Sequence, residues 1–277
     1  MFAFLFDFFT KKQIDTFGAI PLDACTVVRP YLLERAGIQR GTVILFAVPY
    51  FSPSCTDPER NLSAYAVSRD YHNYFSSLYD ELLPALSSRF PTARFAAFSD
   101  HSPIAEVEAA AKAGLGVIGK NRLLLTEKYS SYVFLGEIVT DLLLDCHAAP
   151  VSYCPDCGAC TSHCPMNELG ECLSALTQKK GVLSEREQNA LLRYGTVWGC
   201  DRCQECCPYT QRALQSKTIF SPIDFFNAHT LPHLTQERLL RMSDKEFARR
   251  AYAWRKKDTI LRNLRIFEER PKGDTSC

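Results

Sequence analysis

The sequence predicts an α+β protein: a mixed α/β core, then a cysteine-rich cofactor module, then a helical segment. Residues 42–48 form a β-branched and aromatic run closed by Pro49, which is typical of a buried strand. Residues 62–86 repeat apolar side chains at three- and four-residue spacing, which predicts a helix. Residues 146–210 contain ten of the thirteen cysteines and no long apolar strand. We therefore expect three domains, over residues 1–145, 146–212 and 213–277.

Composition and charge exclude several classes of protein. The 277 residues are 46% apolar, enough for an ordinary core, and the net charge of +1 excludes a uniformly basic nucleic-acid binder. The phenylalanine-rich start contains Asp7 and lacks a basic leader, so we predict no secretion signal. No window reaches the roughly 18 apolar residues of a membrane span, which predicts no membrane partner. Thirteen cysteines in a chain this long indicate thiolates kept reduced for metal, in the cytoplasm.

The second half of the predicted core follows from capping and strand signals. Residues 93–99 predict a strand, Ser102 a helix N-cap with Pro103 at the first helical position, and residues 104–113 a helix ending at Gly114. Two apolar runs follow, which we interpret as an antiparallel hairpin over residues 122–126 and 132–140.

Asp100 lies at the predicted corner between strand and helix. Its carboxylate could cap the helix, although Ser102 already serves that role. Alternatively, it could be a general acid if its surroundings raise its pKa.

Two cysteine runs predict iron-sulfur ligation. The first has the bacterial ferredoxin spacing Cys-x2-Cys-x2-Cys-x3-Cys-Pro, in Cys154, Cys157, Cys160, Cys164 and Pro165. The second is a shortened run, Cys-x2-Cys-x3-Cys-Pro, in Cys200, Cys203, Cys207 and Pro208. Two [4Fe-4S] clusters need eight thiolates, so one further ligand is required, and we favour Cys172 over Cys206.

The simplest pairing of these cysteines assigns four to each cluster. One cluster would be bound by Cys154, Cys157, Cys160 and Cys207, and the other by Cys164, Cys172, Cys200 and Cys203. Structural zinc is the alternative, but zinc sites do not call for triple runs that end in Cys-Pro. The remaining thiols have no spacing pattern and are interpreted as buried or incidental: Cys25, Cys55, Cys146 and Cys277.

A glycine motif suggests a dinucleotide site but has the wrong context. Gly114, Gly116 and Gly119 match G-x-G-x-x-G, yet the motif follows a predicted helix instead of a strand. We therefore predict a tight loop whose backbone approaches a flat partner.

Several blocks of residues resemble the epoxyqueuosine reductase family over about residues 60–265. They are the block from Tyr65 through Asp70 to His72, the Asp-x-x-Pro segment from Asp100 to Pro103 followed by Glu106, the glycine loop to Asn121, the Phe134 to Asp141 motif and both cysteine runs. The resemblance implies a nitroreductase-like α/β core that binds cobalamin, with a ferredoxin-like module that holds two [4Fe-4S] clusters.

The resemblance also implies roles for individual residues. Asp100 matches the family's proton donor. The residues implied to contact cobalamin are Tyr65, Asp70, His72, Gly114, Gly116, Gly119, Lys120 and Asn121. Departures from the family pattern are Val117 and Tyr209, where the family usually has tryptophan, and the extra thiol of Cys206.

The function implied is the reduction of epoxyqueuosine to queuosine in tRNA, with electrons from an external donor of the ferredoxin or flavodoxin type. Residues 235–272 contain 12 basic and 6 acidic residues, and this predicted helical segment could bind phosphates. The chain ends where the family continues into helical repeats that grip tRNA. Two alternatives therefore stay open: a corrinoid or small-molecule reductase that does not act on tRNA, and an electron-transfer module without its own catalysis.

Overall fold

A computed structural model describes residues 1–167 and 170–268. The strands are β1 (Thr16–Pro21), β2 (Thr42–Pro49), β3 (Phe95–Phe98), β4 (Val117–Ile118), β5 (Leu124–Leu125) and β6 (Val133–Thr140). The helices are α1 (Phe2–Lys11), α2 (Pro30–Ala36), α3 (Ala64–Val67), α4 (Tyr71–Arg89), α5 (Glu106–Lys112), α6 (Ala159–Ser162), α7 (Leu173–Thr177), α8 (Glu185–Tyr194), α9 (Arg202–Glu205), α10 (Pro208–Gln215), α11 (Asp224–Asn227), α12 (Gln236–Arg241), α13 (Asp244–Phe247) and α14 (Lys256–Glu268). Short 3-10 helices span Leu22–Ala24, Pro53–Thr56 and Ala253–Arg255.

The chain forms two compact units, each made of three separate segments. The first contains Met1–Phe51, His72–Gly158 and Cys207–Asp224, and the second contains Ser52–Tyr71, Ala159–Cys206 and Phe225–Cys277. These units differ from the three consecutive domains predicted over residues 1–145, 146–212 and 213–277, because segments distant in sequence fold together. Cys277 and residues 269–272 of the predicted basic segment lie outside the described residues.

An antiparallel sheet in the order β1-β2-β6-β3 is the centre of the first unit. Every residue of β2 is buried, which confirms the strand predicted over residues 42–48. One face of the sheet packs against α5 and α2 through aliphatic side chains such as Val43, Leu45 and Ala110. On β6, alternation directs Val139 and Glu137 to this same face.

Aromatic rings cover the opposite face of the sheet. Phe46 of β2 lies 4.8 Å from Phe9 of α1 and 6.1 Å from Phe75 of α4, measured between ring centroids. Gly136 of β6 faces these rings, because a Cβ atom built there would come within 2.3 Å of Phe46 and 2.6 Å of Phe75. The phenylalanine-rich start of the chain therefore packs partly on its own core, although Phe6 is exposed.

Three expectations about local structure are wrong. The predicted hairpin does not form, because β5 pairs with β4 while β6 is a central strand between β2 and β3. Ser102 does not cap a helix: its hydroxyl closes a turn with the Ile104 backbone, and α5 begins only at Glu106 with Ala105 as N-cap. The predicted helix over residues 62–86 is interrupted between α3 and α4, where Arg69 forms a β-bridge with Arg250.

The late segment Cys207–Asp224 completes the first unit. The Thr210 and Ser130 hydroxyl groups lie 2.7 Å apart, and both residues are buried. The Ser221 hydroxyl donates to the Pro49 carbonyl at the end of β2, again at 2.7 Å. Two buried polar groups of the sheet layer thus find their partners on a segment that follows much later in the sequence.

The second unit is built from helices and loops around Trp198, which is completely buried. Asn263 of α14 is also completely buried, and its side-chain amide donates to the Thr177 and Val197 carbonyls at 2.8 Å. In α12 to α14, the described part of the predicted basic segment is helical as expected. Across the described ranges, no helix combines the length and the apolar character that crossing a membrane requires.

Candidate active site and cysteine module

The corner after β3 gives Asp100 an unusual backbone conformation. Its φ is +62°, a region that residues other than glycine rarely occupy. The side chain is 53% exposed, and its Oδ2 lies 3.4 Å from Nε2 of His72, at the start of α4. Two predicted site residues are therefore brought together at the surface of the first unit. A left-handed aspartate beside an imidazole is an arrangement that functional sites often keep despite its conformational cost.

Two further carboxyl groups lie behind this corner. Burial raises the pKa of Glu106 to about 7, and the neighbouring Asp100 charge adds to the rise. Burial likewise raises the pKa of Glu137 on β6 to about 8, with a contribution from Glu106. Neither residue was predicted as a site residue, although both lie in blocks that resemble the family. The signal available in the sequence was a glutamate inside the apolar run of residues 132–140.

The pairing of β4 with β5 largely explains the glycines of the loop at residues 114–119. A Cβ at Gly116 would come within 2.3 Å of the Leu125 carbonyl oxygen, so the glycine lets β4 approach β5. A Cβ at Gly119 would meet the Asn121 side chain at 2.4 Å. Only Gly114, with φ +81°, borders open space within 4 Å, where a flat ligand could approach the backbone.

Lys120 connects this loop to the first cysteine run. Its backbone amide donates to the Cys154 sulfur at 3.4 Å, and its ammonium group lies 2.8 Å from Asp156. Tyr65 and Asp70 belong to the second unit instead. There, the Tyr65 hydroxyl accepts a hydrogen bond from the Trp198 indole at 2.6 Å, and the Asp70 amide donates to the Arg249 carbonyl.

The predicted metal ligands are divided between the units. Cys154, Cys157 and Cys207 belong to the first unit, and Cys160 to the second. The four cysteines predicted for the other cluster all lie in the second unit: Cys164, Cys172, Cys200 and Cys203. Helices α6 and α9 pack against each other there and bring residues of the two cysteine runs side by side, Cys160 on α6 and Cys203 on α9.

Two of those four cysteines share a packing environment with Cys200 or influence its pKa. Cys164 and Cys200 pack against the same apolar cluster. Burial raises the pKa of the Cys200 thiol to about 11, and Asp201 and Cys172 nearby add to the rise. By contrast, the Cys206 thiol turns back to the Cys203 carbonyl of its own loop, at 3.7 Å. This geometry favours Cys172 over Cys206, and the identity of the eighth ligand stays a prediction.

The chemistry of this donor set fits iron-sulfur clusters. Among the described residues, no three His, Cys, Asp or Glu side chains are grouped so as to hold a metal ion. A [4Fe-4S] cluster binds each thiolate at a separate iron atom, so its ligands lie further apart than those of one ion.

Three of the four cysteines that were not predicted as ligands lie among the described residues. Cys55 is buried, Cys25 and Cys146 are half-buried, and burial raises the pKa of all three thiols.

A buried ion-pair network supports the loop that carries Cys200 and Cys203. The Asp201 side chain is 1% exposed and lies 2.7 Å from the Arg60 guanidinium, which also contacts Glu205 at 2.6 Å. Asp201 further accepts a hydrogen bond from the Ala64 amide at 2.7 Å. Because a buried carboxylate without a cation is costly, Arg60 holds this loop in place.

Arg60→Met is therefore expected to lower the free energy of unfolding by about 3 kcal/mol, because it leaves Asp201 buried and unpaired. The control is Arg241→Met, whose ion pair with Glu237 is 75% and 70% exposed and should cost at most about 1 kcal/mol. Urea unfolding of both variants measures the difference. Equal losses would show that the other hydrogen bonds of Asp201 suffice to hold it.

Comparison with known proteins identifies the family of this chain. No family model matches the chain. The epoxyqueuosine reductase of Lactococcus garvieae is 32% identical over 247 residues, covering 80% of this chain and 67% of that protein. The chain belongs to the epoxyqueuosine reductase family. The reductase of Gloeobacter violaceus is 36% identical over 199 residues, covering 69% of this chain.

Solved epoxyqueuosine reductases share the fold. The Streptococcus thermophilus structure has a TM-score of 0.77 at 22% identity and covers 96% of this chain and 80% of that one. A second, with a TM-score of 0.71, contains an epoxyqueuosine-modified tRNA stem loop. The chain spans only 62% of the length of its Gloeobacter relative. The family and the mixed helix and sheet fold are thereby confirmed as predicted.

Proposed function

We propose that this chain is an iron-sulfur and cobalamin-dependent reductase that converts epoxyqueuosine to queuosine in tRNA. The observation that carries the proposal is the pairing of the two cysteine runs on α6 and α9, in a chain related to epoxyqueuosine reductases. Ferredoxin-type runs supply thiolates for electron-transfer clusters, and such clusters need a partner site where bonds are made and broken.

Asp100 would provide acid catalysis in this reaction. When bound, cobalamin would supply two-electron reduction chemistry, and the residues of the two cysteine runs would hold the clusters that carry electrons. The Asp100 carboxyl, exposed beside His72, would donate a proton to the oxygen that leaves the substrate. The His72 ring, 3.4 Å away, would orient that carboxyl. The open space at Gly114 supports the expectation that a flat ring system lies against this loop.

Two partners follow from this function. One is tRNA, as in the related reductase solved with a modified stem loop. The other is an external electron donor of the ferredoxin or flavodoxin type. Several basic side chains of the C-terminal helices already serve the fold, since Arg262 donates to the Lys179 and Gly181 carbonyls and Arg250 to the His229 carbonyl. Phosphate contacts would therefore use the basic side chains that remain exposed.

The decisive experiment combines measurement of the metal content with an assay of substrate conversion. Protein prepared without oxygen should contain iron and cobalt, and with a chemical reductant it should convert an epoxyqueuosine stem loop to the alkene product. Free epoxyqueuosine nucleoside is the comparison substrate. Conversion of the nucleoside alone would favour the small-molecule reductase. Iron without retained corrinoid, and without any turnover, would favour an electron-transfer module.

A further inference from the structure

Glu137 is a titratable residue whose carboxyl oxygens have no hydrogen-bond partner in the described part of the chain. It lies on the central strand β6, opposite Leu45 of β2 and Phe98 of β3. Its side chain is only 2% exposed, and neither carboxyl oxygen has a hydrogen-bond partner among the described residues. An ionised carboxylate so placed would be strongly destabilising, whereas a protonated carboxyl is tolerated. The environment therefore favours the form of Glu137 that holds a proton.

Glu106 is intermediate in burial between Glu137 and the exposed Asp100. It begins α5, which packs on the sheet face that Glu137 occupies, and its charge interacts with both Glu137 and Asp100. Burial and the Asp100 charge raise the pKa of Glu106 to about 7, although the Arg29 guanidinium opposes this rise. The three carboxyl groups thus differ stepwise in burial: Glu137 is buried, Glu106 is half-buried and Asp100 is exposed.

The other groups around the two glutamates do not neutralise them. Arg29 is directed to the Ser102 carbonyl, to which it donates at 2.9 Å. The Ser102 hydroxyl donates to the Ile104 carbonyl and only limits the rise in the pKa of Glu137. Burial raises the pKa values of Tyr79 and Cys25, so both stay neutral. Further along α5, the Glu108 carboxylate is paired with Lys112 at 2.6 Å.

The proposed reaction needs two protons. Asp100 can supply only one of them before its carboxylate must be protonated again. Removing the epoxide oxygen breaks two C–O bonds and forms one C=C π bond. The external donor provides two electrons, and two protons convert the oxygen to water. We propose that Glu106 and Glu137 form a proton store that recharges Asp100 through intervening water. The recharging of Asp100 by this proton store rests on the proposed function. The capacity of the two glutamates to hold protons near neutral pH does not.

The proton store can be measured without turnover. In the full-length protein, 13C-labelled glutamate followed by NMR over pH 4 to 10 should show two carboxyls that titrate near neutrality, assigned with Glu106→Gln and Glu137→Gln. Asp100→Asn should lower the pKa of Glu106, because it removes a neighbouring negative charge.

The pH dependence of the free energy of unfolding provides a second measurement. The unfolded chain loses the Glu137 proton at its ordinary pKa of 4.5 and the folded protein at about 8, so stability should fall between these pH values.

Turnover then tests the use of the store. Wild-type alkene formation should slow above about pH 7, and Glu106→Gln should reduce the rate at least about tenfold below pH 7 and remove most of this slowing. Glu108→Gln, on the same helix, is the control and should keep the wild-type profile. Ordinary pKa values for both carboxyls, or an unchanged profile in Glu106→Gln, would overturn the proposal. An inactive wild type whose two carboxyls still titrate near neutrality would overturn the proposed function and support the proton store.

Discussion

Asp100→Asn is expected to reduce the rate of alkene formation by about 100- to 10,000-fold, the usual contribution of a positioned general acid. Asparagine tolerates the left-handed φ of +62° at this corner and nearly matches aspartate in size, so the change removes the transferable proton and the charge but keeps the shape. Because the side chain is half exposed, the fold should be unaffected. Single-turnover assays on the modified stem loop measure the rate.

The matched control for this variant is Asp80→Asn, which removes an exposed carboxylate from α4 in the same unit. It should keep the wild-type rate. Iron and cobalt content should be the same in all three proteins, which separates lost chemistry from lost cofactor. A rate within tenfold of wild type for Asp100→Asn would mean that another group donates the proton.

Cys172→Ala is expected to halve the iron content, from about eight to about four atoms per chain, because one of two [4Fe-4S] clusters would lose a ligand. The physical basis is the position of Cys172 beside Cys200, where it contributes to the raised pKa of the Cys200 thiol. Electron paramagnetic resonance of the reduced protein should show the signal of a single remaining cluster.

Cys206→Ala provides the comparison, since it removes a thiol three residues from Cys203 whose hydrogen bond is to its own loop. Both clusters should survive this change. If instead Cys206→Ala loses iron and Cys172→Ala retains it, the ligand assignment is reversed. Loss of all iron in either variant would indicate that the second unit cannot fold around one cluster alone.

Local signals predicted the elements whose burial is visible in the sequence. β2 is buried on both faces, so its apolar run was sufficient to identify it. β3 was also predicted, although it is shorter than expected. Strand pairing was not predictable in the same way. β6 has two partners, β2 and β3, that are distant in sequence, and adjacency to β5 suggested a hairpin that tertiary packing does not form.

The candidate site likewise contains some residues that the sequence could suggest and others that only the folded structure reveals. The cysteine runs could be proposed as ligands from their spacing alone, and Asp100 as an acid from its corner position together with the resemblance to the family. Glu106 and Glu137 could not, because their properties depend on burial by β6 and α5, which only the folded chain reveals. Similarly, the role of Gly116 in letting β4 approach β5 could not be predicted, because that strand pair is visible only in the folded chain, and the flat partner expected at this loop stays a prediction.

The return of residues 207–224 to the first unit has a consequence for synthesis on the ribosome. The sheet strands all emerge before residue 141, yet Ser130 and the Pro49 carbonyl must wait for Thr210 and Ser221 to leave the exit tunnel. During that interval the nascent core has buried polar groups without partners, and much of the cysteine-rich sequence emerges beside it. Completion of the first unit and emergence of the last predicted cluster ligands are thereby nearly simultaneous events in translation.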